Sequence, residues 1–286
     1  MKIIVTGATG LIGRHLLPAL AATHDVWAVS RRHGTGVNSQ PGEPSTVSWL
    51  SADLAVEALP AALPARADAV VHFAQSLHYR EFPEQALDVF NVNVASTARL
   101  LDWSRKAGVR QFILASSGGI ETGSRNYYLA SKASGELLAE SYSDLFAVSV
   151  LRFFFVYGPG QKPGMLVPRL IDSIRMGGEV ALVGRDGLRL NPIAVADAVQ
   201  AVVAAIDGNV SGRFDIAGPE VLTLREMCET IATQLGVAPR FALDLTRVPT
   251  EIVGDIAAMS TRLRAPRCRF ADGIVEMLAA HQGSAQ

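Results

Sequence analysis

The chain has 286 residues, 49% of them hydrophobic, and a formal net charge of −1 with a pI near 6.6. That length and apolar content suit one large domain or one and a half, and the balanced charge excludes a broad basic surface for nucleic acid. The two cysteines, Cys228 and Cys268, lie far apart with no CxxC and no histidine at ligand spacing, so neither a disulfide nor a metal site is expected.

Methionine leads directly into KIIVTG (2–7), which predicts no signal peptide and reads as a buried strand; residues 11–22 read as a helix. Between them, TGATGLIG sets Gly7, Gly10 and Gly13 at the spacing Gly-x-x-Gly-x-x-Gly. Glycines there allow a tight turn, close backbone approach to a pyrophosphate and close helix–strand packing. The helix start at Leu11, Ile12 and Gly13 offers free N–H groups and positive dipole to the anion, so dinucleotide binding is expected. DVWAVS (25–30) is a second strand, and it ends in Ser30, Arg31 and Arg32 where a NAD site usually has an acid for the ribose 2′-hydroxyl. A guanidinium fork suits a 2′-phosphate, so the expected coenzyme is NADP in preference to NAD. Asp53, followed by Leu54, is read as a contact to the adenine edge.

AVVHFA (69–74) is the next strand, after a Pro/Ala-rich segment with apolar helical spacing. A long helical pattern runs from Pro83 to Gly108, followed by the strand QFILASS (111–117), a helix over 127–143 and the strand AVSVLRF (147–153). Strands separated by long helices imply parallel pairing with right-handed crossovers, and continuous apolar strands imply a sheet covered on both faces. The expected fold is α/β, a Rossmann-type doubly wound parallel sheet with a small C-terminal substrate lobe. The rhythm loosens after VYGPGQKPG (156–164), while residues 191–206 and RFDIAG (213–218) read as a helix and strand returning to the first domain. The coenzyme-binding domain is thus expected at 1–157 and 191–218, the lobe at 158–190 and 219–286. No apolar run approaches the ~18 residues of a membrane span, so a soluble cytoplasmic protein is expected.

Nine motifs in order resemble the extended short-chain dehydrogenase/reductase superfamily, in its NAD(P)-dependent epimerase/dehydratase branch. They are TGxxGxxG at 6–13, DL at 53–54, HFAQS at 72–76, NVNV at 91–94, ASS at 115–117, YxxxK at 128–132, LRFFFVYGPGQ at 151–161, NPIAVADAV at 191–199 and FDIAGPEVLTLRE at 214–226. The resemblance implies that Tyr128 is the acid/base, Lys132 its helper and a ligand of the nicotinamide ribose, and Ser117 the third member. Residue chemistry agrees. A tyrosine with an ordinary pKa near 10 is too weak a base at neutral pH, and an ammonium one helical turn away, together with the positive charge of oxidised nicotinamide, would favour its phenolate. Ser117, at the carboxyl end of a strand, can orient a substrate oxygen.

Phe73, Ala74, Gln75 and Ala115 are expected beside the coenzyme, Ala74 because a larger side chain would crowd it. Asn93 reads either as a polar bridge near the tyrosine, within the coenzyme site, or as a helix-surface amide. Ser76 and His78, with Tyr79 and Arg80, lie by the expected substrate mouth; Phe155 and Arg189 are further substrate candidates. The resemblance also implies a homodimer built on the two long helices.

Departures from the family pattern narrow the chemistry. Its 4,6-dehydratases follow the Ser/Thr with an Asp-Glu pair, whereas Gly118 and Gly119 follow Ser117; its epimerase-reductases of the GDP-fucose route carry a cysteine there. Phe155 and Leu190 stand where nucleotide-sugar enzymes commonly have Asn and Arg, with Arg189 or Arg185 as substitutes for the second. The expected activity is an NAD(P)-dependent oxidoreductase or epimerase acting at a carbinol or ketone carbon of a nucleotide-linked sugar. Two other readings stand beside it: an NADPH-dependent reductase of a non-sugar carbonyl, and an NAD(P)-sensing protein without turnover. The intact Ser117, Tyr128 and Lys132 argue against the last.

Overall fold

Continuous apolar runs such as Ile3-Ile4-Val5 and Val70-Val71 have no exposed surface and lie at the centre of a sheet. A computed structural model describes residues 1–31, 47–56, 59, 62–122 and 126–283. The first half comprises β1 (Lys2–Thr6), α1 (Leu11–Ala21), β2 (Asp25–Ser30), β3 (Val47–Ser51) and β4 (Ala69–His72). Next, α2 (Ala86–Phe90) runs through a π-helical turn (Asn91–Ala95) into α3 (Ser96–Lys106). β5 (Gln111–Ser117) leads through a 3-10 turn (Gly118–Thr122) to α4 (Tyr127–Glu140) and β6 (Ala147–Phe153). Then come α5 (Leu166–Arg175), β7 (Glu179–Val183), β8 (Arg189–Leu190), α6 (Val195–Asp207) and β9 (Gly212–Ile216). The chain closes with β10 (Leu222–Thr223), α7 (Leu224–Leu235), β11 (Arg240–Asp244), β12 (Glu251–Ile252), α8 (Ala257–Arg262) and α9 (Phe270–Gly283).

Seven strands form one sheet in the order β3-β2-β1-β4-β5-β6-β9. The pairings of β2 with β3, β1 with β2 and β4, and β4 with β5 are all parallel. The order reverses between β1 and β4, where a doubly wound sheet opens its ligand crevice. VSWL, not recognised as a strand from its pattern, is β3, paired with β2 from Val26↔Val47 to Ser30↔Ser51. The helical spacing expected before β4 falls partly outside the described residues, and residues 62–68 are not helical.

The chain divides into two compact units, Met1–Arg152 with Val202–Phe214, and Phe153–Ala201 with Asp215–Gln286. The second has its own core, including Tyr157, Ile171, Leu182, Leu190, Ile231 and Ile274. Its α7 starts with a capping box, in which the Thr223 hydroxyl accepts from the Glu226 N–H and the Glu226 carboxylate accepts from the Thr223 N–H.

The helix expected from Pro83 to Gly108 begins at Ala86 and is widened by the π turn. Ser96 Oγ donates to the Val92 carbonyl at 2.6 Å and Thr97 Oγ1 to that of Asn93 at 2.8 Å. Hydroxyls that bond back to carbonyls four residues earlier compete with the regular ladder and bend helices. The same hydroxyls surround His72 at the end of β4, whose Nδ1 lies 2.6 Å from Thr6 Oγ1 and Nε2 3.1 Å from Thr97 Oγ1. The chain Thr6–His72–Thr97 is satisfied when Thr6 donates to Nδ1 and Nε2–H donates to Thr97, a neutral tautomer.

Burial, helped by the charge of Lys132, lowers the His72 pKa from 6.5 to about 3. The unfolded chain therefore binds a proton in this window that the folded chain refuses, so stability falls on acidification from pH 6.5 towards 3. Each pH unit in that window costs about 1.4 kcal/mol from this group. We expect His72→Gln, whose amide can bridge the same hydroxyls, to flatten the fall of Tm between pH 6.5 and 5 followed by calorimetry.

Candidate active site

The segments after β1, β4 and β5 build the crevice side of the first unit. Gly7 turns the chain at φ +67°, and a Cβ there would stand 2.6 Å from the Ala74 nitrogen and the Phe73 carbonyl carbon. A Cβ on Gly13 would stand 2.4 Å from the Gly7 carbonyl oxygen, and one on Gly10 3.1 Å from the same atom. The loop is thus closed onto α1 and onto the end of β4, where Phe73 N–H donates to Thr6 O at 3.1 Å. No side chain caps α1 at Gly10 and its first turn holds no acid. The free N–H groups of that turn, including Leu11 and Ile12, fit an anion such as a coenzyme pyrophosphate.

At the end of β2, Ser30 is buried and Arg31 exposed, while Arg32 lies outside the described residues. Asp53 is exposed, with Oδ1 accepting from the Ala55 N–H at 2.9 Å; Leu54 beside it is buried, and its carbonyl accepts from Arg99 at 2.8 Å.

Asn126 caps α4, its side chain accepting from the Tyr128 and Leu129 N–H groups at 2.9 and 3.4 Å. That cap sets where the helix starts and so places Tyr128 in the first turn and Lys132 one turn on. The Tyr128 hydroxyl donates to Gln75 Oε1 at 3.3 Å, and the Ser117 side chain lies close enough to lower its pKa. Lys132 is buried, its Nζ 5.9 Å from the centre of the Tyr128 ring and donating to the Ala115 carbonyl at 3.0 Å. Asn93 is a buried bridge rather than a surface amide: Oδ1 accepts from Ser76 N–H at 3.0 Å and Nδ2 donates to Ser131 Oγ at 2.9 Å. Ser131 in turn donates to the Tyr128 carbonyl at 2.7 Å, so the wide helical turn and the first turn of α4 are tied together.

In the protein alone, burial opposes the expected push of Tyr128 towards phenolate. Loss of solvent, opposed by the hydrogen bond to Ser117, raises its pKa to about 12. Lys132 moves the other way, to about 8, because burial disfavours the ammonium more strongly than the nearby Glu136 carboxylate favours it. Tyr128 is therefore a phenol near neutral pH, able to donate a proton, and Lys132 is an ammonium close to its titration point.

Substrate-side expectations separate. Ser76 is buried, its hydroxyl donating to Asp88 and accepting from the His78 N–H at 3.0 Å. His78 Nδ1 pairs with Glu81 at 3.1 Å. A cavity of about 840 Å³ opens beside Tyr128, lined also by Tyr79, Arg80, Phe82 and Tyr127. Tyr79 packs 5.1 Å from the Tyr128 ring and carries the Arg80 guanidinium 5.2 Å from its own, while Phe82 stacks on Tyr127 at 4.9 Å. Phe155 and Arg189 belong to the second unit. Phe155 takes a positive φ of 44° and packs on that unit's core, and Arg189 pairs with Glu251 at 2.9 Å.

Sequence reasoning missed Tyr79 as a neighbour of Tyr128, and the buried Glu136 and Arg152 behind Lys132. A charged residue inside the apolar strand VSVLRF was a readable signal, since such a group is rarely buried unpaired.

Comparisons place this geometry among known proteins. The model of the NAD dependent epimerase/dehydratase family matches residues 3–217. A dTDP-glucose 4,6-dehydratase of Streptomyces antibioticus is 29% identical across 97% of this chain and 91% of its own length. A dTDP-4-dehydro-6-deoxy-D-allose reductase of a Streptomyces species is 25% identical, with 90% of this chain and 89% of the relative covered. The fold superposes with TM-score 0.83 on a mutant of UDP-glucuronic acid 4-epimerase from Bacillus cereus, solved with UDP-4-deoxy-4-fluoro-glucuronic acid and NAD, at 23% identity over 99% of this chain and 100% of that one.

The contact at Gly13 sets an expectation for stability. Gly13→Ala forces backbone apart at a 2.4 Å approach, and we expect it to lower unfolding free energy by about 1–3 kcal/mol in urea titration, with coenzyme-induced stabilisation lost.

Proposed function

This chain belongs to the NAD dependent epimerase/dehydratase family, and on that premise we propose an NAD(P)-dependent oxidoreductase or epimerase acting at a carbinol or ketone carbon of a nucleotide-linked sugar. One observation carries the reading: the Tyr128 ring lies 5.9 Å from the buried Lys132 Nζ, with Ser117 at the end of the neighbouring strand, next to the sheet's switch point. Bound coenzyme supplies the hydride acceptor or donor. Tyr128 gives its proton to a ketone oxygen in reduction and, as phenolate, takes the carbinol proton in oxidation. Ser117 hydrogen-bonds that same oxygen and orients the carbon. Lys132 would bond the nicotinamide ribose, and its charge opposes the cost of burying a phenolate.

We assign the coenzyme to the first unit and regard the second as the substrate lobe. The β1–α1 loop, with Phe73, Ala74 and Ala115, forms the coenzyme wall. The family is NAD dependent by name, and the Bacillus cereus structure holds NAD. The sequence Ser30-Arg31-Arg32, with no carboxylate, favours the 2′-phosphate of NADP.

The Streptomyces antibioticus relative is named for 4,6-dehydration, but the carboxylates for water elimination are missing here. Position 119 lies near Ser117 Oγ, at 3.6 Å from where a Cβ would be, and it is glycine. Glu121, in the same turn, is held by Arg152. Simple hydride transfer, or epimerisation through a transient ketone, needs neither carboxylate. A second reading, an NADPH-dependent reductase of a non-sugar carbonyl, is favoured by Phe155 and by the pairing of Arg189 with Glu251.

The exposed Leu87 (76%), Phe90 (45%) and Leu137 (69%) lie on α2 and α4 and support a homodimer through these helices. Among the described residues no helix is long and apolar enough to cross a membrane, and both cysteines are free, which suits a cytoplasmic enzyme.

Thermal shift with NAD, NADP and a panel of nucleotide sugars, followed by product analysis, tests the assignment. We expect Tyr128→Phe to keep the coenzyme shift and lose turnover by at least about 100-fold; a variant with undiminished turnover would refute the reading. A larger shift with NAD than with NADP at equal concentration removes the NADP preference, and turnover of simple ketones but no nucleotide sugar favours the second reading. Leu87→Asp with Leu137→Asp is expected to convert the dimer to monomer in light scattering, whereas a monomeric parent chain contradicts the interface.

A further inference from the structure

Behind Lys132 lies a buried cluster of charge that the reaction above leaves unused. Glu136, one turn beyond Lys132 on α4, is 3% exposed, and Arg152 on β6 is 5% exposed. Arg152 grips the carboxylate with two parallel bonds, Nε to Oε1 at 2.9 Å and Nη2 to Oε2 at 2.8 Å. Ser116, the neighbour of Ser117, donates to the same Oε1 at 2.5 Å. The third nitrogen, Arg152 Nη1, holds Glu121 in the turn that follows Ser117. Arg213 stands further out, 3.6 Å from Glu136 and paired with Glu140.

A buried ion pair is weak evidence of a stabilising role, because well-packed apolar residues of similar volume often do as well or better. Its position is more informative than its existence. It joins α4, the end of β5 with its following turn, and β6, and the first two carry Tyr128, Lys132 and Ser117. It also sets a carboxylate four residues along the helix from the lysine, where side chains are neighbours. Among the described residues, the other titratable groups around Lys132 do not compensate its charge. His72, from β4, is kept neutral by burial, and Tyr128, on the same helix, is a phenol. The β5 contact, the Ala115 carbonyl, is a dipole.

We propose that Glu136 is a positioning residue for this site: clamped by Arg152 and Ser116, it keeps Lys132 an ammonium and locks the helix of Tyr128 to the strand that ends in Ser117. The proposal rests on the roles given above to Lys132 and Tyr128. Removing the carboxylate acts twice, because it takes away the compensating charge and leaves the Arg152 cation without its two-bonded partner. Both changes disfavour the ammonium. Removing Arg152 as well abolishes the second effect, so the double variant is disturbed less than the single one.

The chain has four lysines, Lys2, Lys106, Lys132 and Lys162, so protein labelled with carbon-13 at lysine Cε gives four signals, and Lys132→Arg identifies the one of interest. The Lys132 signal is expected to titrate near pH 8 in the parent chain, at least about one pH unit lower in Glu136→Gln, and between the two in Glu136→Gln/Arg152→Met. The alkaline limb of the turnover profile should move down by the same interval, since activity needs the ammonium and the variant loses it at lower pH. A role confined to folding would lower Tm but leave both the midpoint and the limb in place. An unchanged midpoint in a folded Glu136→Gln overturns the proposal. If that variant does not fold, the double variant decides, a lowered midpoint supporting the proposal and an unchanged one overturning it; failure of both to fold makes the cluster architectural and also overturns it. The titration needs neither coenzyme nor substrate, so it is independent of the reaction, whereas a fully active Tyr128→Phe would sink the proposed reaction and leave the titration untouched.

Discussion

An ammonium shut away from water has to be held by something, and the burial of Lys132 governs the chemistry of this site. Desolvation draws its pKa down to about 8 and drives that of Tyr128 up to about 12. Two groups whose environments push their pKa values apart, one towards neutrality and one away from it, acquire different duties. The phenol is a proton donor at rest, and its use as a base depends on positive charge brought close to it. Pairing at one helical turn is therefore necessary for the proposed reaction but not sufficient.

The second constraint is contact between backbones. At the switch point β1 and β4 are neighbours, so the loop after each meets the other, and Gly7 and Gly13 are glycines because backbone atoms occupy the space a Cβ would take. The loop is shaped as much by the fold as by any ligand. Because it is closed in this way, the unsatisfied N–H groups at the start of α1 point where an anion can reach them.

Polar side chains between these two features join them. His72 links Thr6, just before the glycine loop, to Thr97 on α3; Thr97 bonds to the Asn93 carbonyl, and the Asn93 side chain reaches the helix of Tyr128 through Ser131. Each member uses its bonding capacity on another member, as a buried network must. The π turn frees the carbonyls and directs Asn93 inward, so an interruption of regular helix is part of what supports the site.

Much of this was legible along the chain. The apolar runs of β1, β4 and β5 and the glycine spacing depend on short-range rules of periodicity and turn sterics, while Ser117, Tyr128 and Lys132 were picked out by the family resemblance of their motifs. Three residues on two elements could be set near one another because a doubly wound sheet brings the carboxyl ends of its strands together. The β3 strand escaped recognition as a short edge segment, and the break in the α2–α3 helix because it arises from hydroxyls competing for carbonyls. The sequence by itself thus determined most of the elements and the parallel sheet, and its motifs pointed to the three side chains proposed for the site. Only tertiary structure decided their protonation, the commitment of Ser76 to Asp88, the bridging of Asn93 and the clamp of Arg152 on Glu136. Those outcomes depend on which groups lose water and which distant atoms replace it, and residue spacing carries no record of either.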